Sequence, residues 1–383
     1  MSHDQSYDAF IKHSQNWVFD FPDTPELRQM LNLRLSPDDA KFLSHFPHFP
    51  STLEELGQRY GVSTSTIAKK IQPFLGQGFI FEVEGKSAVR YSLVDGLFFL
   101  GRMKGWLGQD NDWNRQFAPV MNQYYDTHFG ADFMGHPTKG LRAIPVNSVI
   151  QDTRPILPHE DLLAYVDEED FHTVSSCACR HNMNMDSSRQ SCGHEVEVCL
   201  HFGRLGRHIV KHEMGRKIEK KETLDILARC ADKGLVHAIS NTKKGMDTIC
   251  NCCSCCCIFL RPIQLMPEVR REYHQRSNYQ VNVNADTCAA CGLCEKRCPV
   301  DAICLEDRAE PLAPENGTPK PRDLKQVSYD PDMCIGCGVC AHKCPTKSLS
   351  LVRRTEDEDI PETFFESGMR MIQERKKDPS TMF

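Results

Sequence analysis

The chain has 383 residues, which is long for one ordinary domain and suits two or three. Its formal net charge of -6 excludes a general electrostatic attraction to nucleic acid or to an anionic membrane. No apolar run approaches the length of a membrane span, and the N-terminal residues lack the apolar core of a signal peptide. Most of the 20 cysteines fall in spacings typical of metal sites, so we expect a protein of the reducing cytoplasm, not a disulfide-bonded secreted one.

The first predicted elements are three short helices and a hairpin. Ser36 is a suitable cap for the first helix, and Pro37 suits its first position. Gly61 begins a tight turn after the second helix, and Glu84-Gly85-Lys86 is a turn signal between two alternating strands. The predicted helices cover residues 36–45, 52–60 and 64–75, and the predicted hairpin covers residues 79–93.

This order of helices followed by a hairpin resembles a winged-helix domain, which we place at residues 1–105. Residues 36–100 hold six basic and seven acidic side chains, whereas a DNA-binding domain presents a clearly basic face. A structural or protein-docking role is therefore favoured, and DNA binding stays open as the alternative. The resemblance implies that any DNA contacts would come from a recognition helix and a wing, through Ser63, Thr64, Ser65, Lys69, Lys70, Lys86 and Arg90.

Residues 106–277 form a cysteine-rich segment, whose first cysteine motif is Cys177-Ala178-Cys179-Arg180-His181, followed by Cys192 and Cys199. Thiolates in this number indicate a soft metal centre, and a 4Fe-4S cluster is favoured. Arg180 would offset the negative charge of such a cluster or donate to one of its sulfides. Zinc is the alternative, because four cysteines also suit a zinc site.

The second motif of this segment places six cysteines in eight positions, more than one cubane uses. Alternate side chains of an extended chain point to opposite faces, which would group Cys253 and Cys255 with Cys257, whereas a turn would change that partition. The motif holds its own cluster, completes the site begun at Cys177, or holds two clusters jointly with it, and a non-cubane cluster is a further alternative. The candidate ligands here are Cys250, Cys252, Cys253, Cys255 and Cys256.

Between the two motifs, residues 221–233 predict an amphipathic helix that ends at Gly234, and a strand follows through Val236 and His237. Residues 144–261 resemble a group of anaerobe proteins that combine a C-x-C-R-H motif, a Gly-Leu-Val-His step and an N-C-C-x-C-C-C motif with a downstream two-cluster ferredoxin. The resemblance implies an iron-sulfur oxidoreductase component in an anaerobic host, and it identifies no substrate.

Near the C-terminus the spacing C-x-x-C-x-x-C-x-x-x-C-P occurs twice, first from Cys288 to Pro299 and then from Cys334 to Pro345. Residues 278–352 resemble the bacterial-type ferredoxins that bind two 4Fe-4S clusters. Zinc is the alternative, but pairs of zinc sites lack the doubled C-P ending. The resemblance implies one cluster held by Cys288, Cys291, Cys294 and Cys344, and the other held by Cys334, Cys337, Cys340 and Cys298.

Two regions lie outside this ferredoxin pattern. Residues 306–325 are rich in proline and charge and predict a surface insertion, and Cys304 just before them is expected to be a thiol, not a ligand. Residues 353–383 form a tail in which an acidic run precedes a predicted helix.

Together these segments predict an α+β multidomain protein with a winged-helix-like module, an α/β middle domain and a ferredoxin-like dicluster domain. We expect it to relay single electrons between a low-potential donor and a redox enzyme partner, with one or two further clusters in the middle domain. Without a G-x-G-x-x-G or similar phosphate loop, it suits an oxidoreductase component better than a stand-alone catalyst. The alternatives are a redox-sensing winged-helix transcriptional regulator and a reductase that binds substrate at an open iron.

Overall fold

The computed structural model describes residues 3–85, 87–265, 275–313, 318–378 and 380. The chain divides into two compact units, each built from separate stretches of sequence. Lys86 of the predicted hairpin turn, residues 266–274 of the middle segment and residues 314–317 of the predicted insertion lie outside the described residues. The first unit comprises Met1–Thr138, Asp170–Ile218 and Phe364–Phe383, and the second comprises Lys139–Glu169 and Glu219–Thr363.

Helices occur throughout both units, and over the described ranges none has the length and apolar character that crossing a membrane requires. The segments Phe98–Arg102 and Tyr125–Phe129 are π-helical, and Asn147–Val149 and Pro158–Glu160 are 3-10 helical. The α-helices are α1 His3–Gln15, α2 Pro25–Arg34, α3 Pro37–Leu43, α4 Leu53–Tyr60, α5 Thr64–Gln77, α6 Met103–Trp106, α7 Asp112–Tyr124, α8 Gly130–Met134, α9 Leu162–Glu168, α10 Ala178–Met185, α11 Gly203–Lys211, α12 Lys220–Asp232, α13 Arg261–Leu265, α14 Leu293–Arg297, α15 Pro321–Leu324, α16 Val339–His342 and α17 Phe364–Glu374.

The strands are β1 Ile80–Glu84, β2 Val89–Leu93, β3 Leu141–Ala143, β4 His172–Ser176, β5 Glu197–Phe202, β6 Arg216–Ile218, β7 Val236–Ser240, β8 Thr248–Cys252, β9 Tyr279–Val283, β10 Ile303–Asp307, β11 Lys325–Tyr329 and β12 Leu349–Arg353. In the first unit, β1 pairs with β2, and β4 lies between β5 and β6. In the second unit, β7 lies between β3 and β8, β9 pairs with β12, and β10 pairs with β11. All of these pairings are antiparallel.

The N-terminal helices begin where their capping residues predict. The Ser36 hydroxyl accepts the backbone N–H of Asp39, whose carboxylate accepts the N–H of Ser36 in return. Thr52 and Glu55 form the same reciprocal cap on α4. The helices α3, α4 and α5 and the hairpin β1–β2 therefore confirm the predicted elements, with boundaries that differ by one or two residues.

The first unit has an aromatic core to which the C-terminal tail contributes. Phe99 packs against Phe10 and Phe79, with ring centroids 5.6 and 5.1 Å away. Ile372 of α17 is buried, and the guanidinium of Arg375 just beyond that helix donates to the Asp132 carboxylate over 3.0 Å. The predicted tail helix thus exists and packs within the first unit.

The second unit contains the predicted helix and strand between the two cysteine motifs. Helix α12 ends one residue before the predicted end, and Gly234 follows with φ +84°. Strand β7 then pairs with β8 so that His237 lies opposite Asn251, and their side chains hydrogen-bond over 2.7 Å. This pairing places the predicted strand beside the start of the second cysteine motif.

The ferredoxin-like part of the second unit contains two two-stranded antiparallel sheets, β9–β12 and β10–β11, and the short helices α14, α15 and α16. In each half, the cysteine run leads into a helix, α14 in the first run and α16 in the second. Residues 144–151 pack on this part, because Val146 donates to the Cys337 carbonyl over 3.2 Å and Gln151 donates to the Leu351 carbonyl over 2.8 Å. The predicted insertion connects β10 to β11, and α15 lies at its C-terminal end.

Candidate metal centre

Four cysteines from the two ferredoxin-like runs share one cavity in the second unit. Cys334, Cys337 and Cys340 belong to the second run, whereas Cys298 directly follows α14 of the first run. The cavity leaves about 370 Å³ of space between atoms, part of it open to solvent. The last cysteine of one run therefore lies with the first three of the other. The remaining lining residues are Val281, Pro299, Val300, Ala302, Ile303, Ile335, Gly336, Gly338 and Leu351.

Two glycines of the second run allow its loop to pack closely against neighbouring chain. At Gly336, with φ +69°, an added Cβ would lie 2.1 Å from the carbonyl oxygen of Tyr279. At Gly338, with φ +77°, it would lie 2.8 Å from the Val149 side chain. In the first run Ala290 takes the position that corresponds to Gly336, with φ +49°. The loop around the cavity thus depends on space at Gly336 as well as on its backbone conformation.

The thiols of this cavity need a cation to ionise. Burial raises the pKa of both Cys337 and Cys340, and neighbouring thiols raise it further. Burial also raises the pKa of Cys298, although its sulfur accepts the Ala302 N–H over 3.1 Å. Thiolates this close together repel one another unless a cation balances their charge. Four thiol donors in a mostly apolar cavity fit a 4Fe-4S cluster, which takes four thiolates and compensates them with iron.

The first cysteine run places three of its thiols close together. Cys294 lies in α14, and burial followed by the nearby Cys288 and Cys291 thiols raises the pKa of Cys294 to about 11. The Ala290 N–H donates to the Cys288 sulfur over 3.4 Å. Cys291 is exposed, so this group lies nearer the surface than the cavity around Cys337.

Cys344, which ends the second run, packs against the buried cluster that contains Cys294. Burial raises the pKa of Cys344, but hydrogen bonds from Ser348 and Thr346 outweigh that effect, and the pKa lies below its usual value. The Cys344 sulfur lies 3.3 Å from the Ser348 hydroxyl. This environment favours the thiolate, the form that binds a metal. Cys304 does not line the cavity, and its sulfur lies 3.9 Å from the Glu306 carboxylate.

The six cysteines of the middle motif separate into two groups within the second unit. Cys252 hydrogen-bonds the thiols of Cys250 and Cys257, and we call these three the strand triad. The other three, the turn triad, have sulfur atoms within 4.8 Å of one another, and two of these atoms are 3.5 Å apart. The turn triad consists of Cys253, Cys255 and Cys256.

Of the two arrangements considered for this motif, the structure has the turn, and the grouping of an extended chain does not apply. Strand β8 ends at Cys252 and the chain then turns, so the Cys257 thiol lies beside that of Cys252. Cys257 is not among the predicted candidate ligands. In the structure its sulfur accepts the Phe259 N–H over 3.3 Å. The signal that could have identified it is Ser254, a residue that favours turns.

The upstream cysteine motif lies in the first unit. Cys177 is the residue directly before α10, and Cys179 lies in the first turn of that helix. The hydrogen bond with the Cys179 thiol, then burial and the nearby Cys199, raise the pKa of Cys177, whereas Arg180 lowers it. Arg180 is fully buried and donates to the backbone carbonyl of Glu195.

Cys192 lies between α10 and β5 and is half-buried. Its N–H donates to the Asn184 side chain over 2.8 Å. His201 of the same region is buried, and its Nε2 lies 2.9 Å from the Ser175 hydroxyl.

One part of the chain matches a known family. Residues 327–350 match the 4Fe-4S binding domain, Fer4. The match runs from β11 through the second cysteine run to the start of β12. It indicates that this part of the second unit binds a 4Fe-4S cluster. No curated protein and no solved structure matches the chain.

Proposed function

We propose that this protein relays single electrons between a low-potential donor and a redox enzyme, through two ferredoxin-type 4Fe-4S clusters. One observation carries the proposal: Cys298 of the first run lies in the same cavity as Cys334, Cys337 and Cys340 of the second. Exchange of the last ligand between two runs keeps both clusters adjacent, because each run contributes to both. Adjacent one-electron centres suit electron relay.

In this proposal Cys298 and the first three cysteines of the second run hold one cluster. Cys344 completes the other with the first three cysteines of the first run. When bound, each cluster accepts and releases one electron at a potential set by charge, hydrogen bonds and solvent exposure. The chain contributes apolar walls, such as Val281 and Leu351, and backbone N–H donors to sulfur at Ala290 and Ala302.

We further propose one or two additional clusters in the middle segment, in a protein of the reducing cytoplasm of an anaerobe. The strand triad and the turn triad each provide three thiols in close contact, which supports ligation of a soft metal. Zinc is the alternative at these positions. The ligand candidates are Cys177, Cys179, Cys192 and Cys199 of the first unit and Cys250, Cys252, Cys253, Cys255, Cys256 and Cys257 of the second.

For the N-terminal part of the chain we propose a winged-helix module that docks a protein partner. The order of α3, α4, α5 and the β1–β2 hairpin supports this fold. Lys70 of the would-be recognition helix lies 3.7 Å from the Asp39 carboxylate and 5.4 Å from the ring centre of Phe42. Because the Lys70 charge has a partner within the module, docking of a protein is favoured over binding of DNA. A redox-sensing regulator remains the alternative.

A reductase is a second alternative, favoured by the strand triad. The strand triad supplies three of the four thiolates that a cubane takes, so an iron with an open position would act there as a Lewis acid. A substrate at that iron would change the spectrum of the oxidised protein.

The proposal is tested by removing one exchanged ligand. The full chain is purified anaerobically, reduced with dithionite and mixed with cytochrome c as a one-electron acceptor. We expect Cys298→Ser to lose about four irons per chain and to reduce the acceptor more slowly. Cys304→Ser is the matched control from the same hairpin region and should behave as the parent. A Cys298→Ser variant with the parent's iron content and rate would contradict the proposal.

A further inference from the structure

Three side chains of the first unit that no cysteine motif includes converge on one point. Glu82 comes from β1, His208 lies in α11, and His212 is the residue at the C-terminal end of that helix. A carboxylate oxygen and one nitrogen of each imidazole all lie within 4.8 Å of one another. Glu82 and His212 are 130 positions apart in sequence, and their Oε1 and Nε2 atoms are 3.0 Å apart.

His208 is the second, independent observation. Its side chain is only 3% exposed, yet neither ring nitrogen has a hydrogen-bond partner among the described residues. The ring contacts those of Phe81 and His212 in tilted arrangements, with centroids 4.4 and 4.5 Å away. These ring contacts offer the nitrogens no hydrogen bond, and a buried polar group without a partner costs about 1–3 kcal/mol. A metal ion would satisfy one of these nitrogens.

We propose that Glu82, His208 and His212 bind a divalent first-row transition metal ion, with zinc as its representative. The proposal goes beyond electron relay and does not depend on it. Imidazole and carboxylate are established ligands of such ions. The two histidines are four positions apart, which places them on one face of α11.

The spacing of the donor atoms suits a tetrahedral ion. Bonds of roughly 2.0–2.2 Å to zinc place two ligand atoms about 3.4 Å apart, close to the Glu82–His212 distance. The Lys211 ammonium lies 2.7 Å from the same Glu82 oxygen and orients the carboxylate. Three protein ligands leave a fourth position for water.

Bound metal would fix the β1–β2 hairpin to α11. Within this cluster, Glu82 connects the hairpin to the end of α11 through its contacts with Lys211 and His212. A protein that binds metal only when folded is stabilised by it, so metal removal is expected to loosen the hairpin. This predicts faster hydrogen exchange of the β1 and β2 amides in the metal-free protein.

The test uses the full chain with its iron-sulfur clusters loaded and zinc ion alone as the probe. Zinc uptake is measured by equilibrium dialysis and mass spectrometry, and the zinc ligands are identified by X-ray absorption. We expect one zinc with nitrogen and oxygen ligands. Glu82→Gln, which preserves size, and His208→Leu, which preserves an apolar interior, should bind this zinc more than about tenfold more weakly, with iron content unchanged.

His45→Gln, at an exposed histidine of the same unit, is the matched control and should bind zinc as the parent does. Unchanged zinc affinity in Glu82→Gln would overturn the proposal, as would zinc in the parent that has sulfur ligands alone. If His208→Leu does not fold, Glu82→Gln decides the outcome by itself, because glutamine keeps a hydrogen-bond acceptor for Lys211.

Discussion

Gly336 is the position at which a single methyl group should disrupt the proposed cluster held by Cys298 and the second cysteine run. In Gly336→Ala the new Cβ would lie 2.1 Å from the Tyr279 carbonyl oxygen and 2.2 Å from the Ser277 hydroxyl, so the loop must move. The left-handed conformation costs a non-glycine residue about 1–2 kcal/mol, and overpacking adds about 1–3 kcal/mol. We therefore expect the second unit to lose about 2–5 kcal/mol of stability.

Gly292→Ala is the matched control from the first run. Its φ is +75°, but the nearest neighbour of the added Cβ is Leu305 at 3.4 Å, so only the conformational cost of about 1–2 kcal/mol applies. Both variants are unfolded in urea under anaerobic conditions, and their iron is measured. Gly336→Ala should unfold at lower urea and hold about four fewer irons than Gly292→Ala. Equal unfolding midpoints and equal iron would refute the argument from crowding at Gly336.

Three further outcomes follow from other parts of the chain. His48 is buried beside His13. Burial, followed by the charge of His13, lowers the pKa of His48 to about 3. The neutral His48 ring therefore stabilises the fold above pH 6.5, and this contribution is lost as pH falls toward 3. In thermal unfolding, His48→Phe should reduce the loss of stability below pH 6.5 by up to about 1.4 kcal/mol per pH unit, and an unchanged slope would contradict this. Glu160→Gln leaves Arg142, which is fully buried 3.8 Å from that carboxylate, without its counterion, so urea unfolding should show a loss of about 3 kcal/mol, and a neutral result would contradict this. Cys304→Ser should leave the iron content and the EPR spectrum unchanged, whereas loss of iron would make Cys304 a ligand.

Local signals in the sequence predicted the N-terminal elements well. Ser36 and Thr52 each have an acidic residue three positions later, and both pairs form reciprocal caps. Gly234 similarly marks the end of α12. Such signals are readable because donor and acceptor are only a few residues apart.

The cysteine geometry depended on more than spacing. The ferredoxin-like runs repeat one spacing that is typical of a known loop. The spacing of the middle motif does not predict a backbone conformation. Its division into two triads follows from the turn after Cys252, which moves Cys257 back toward the strand. Alternation along a strand could not predict this, since the strand ends within the motif.

The Glu82–His208–His212 cluster was not predicted at all. His208 and His212 have helical spacing, but a pair of histidines on a helix is common without a metal. The carboxylate that makes the cluster a candidate site comes from a strand 130 positions away from His212. Only the tertiary structure brings Glu82 to α11.

The most direct test of the iron-sulfur relay is the metal content and EPR spectrum of the anaerobically purified chain. Iron, zinc and acid-labile sulfide are measured per chain, and the protein is then reduced for EPR. The account predicts at least about eight irons with matching sulfide, rising to about twelve to sixteen with the middle clusters, and a spectrum of interacting 4Fe-4S centres. Zinc without iron and without acid-labile sulfide would contradict it, because the cysteine runs would then hold structural zinc and carry no electrons.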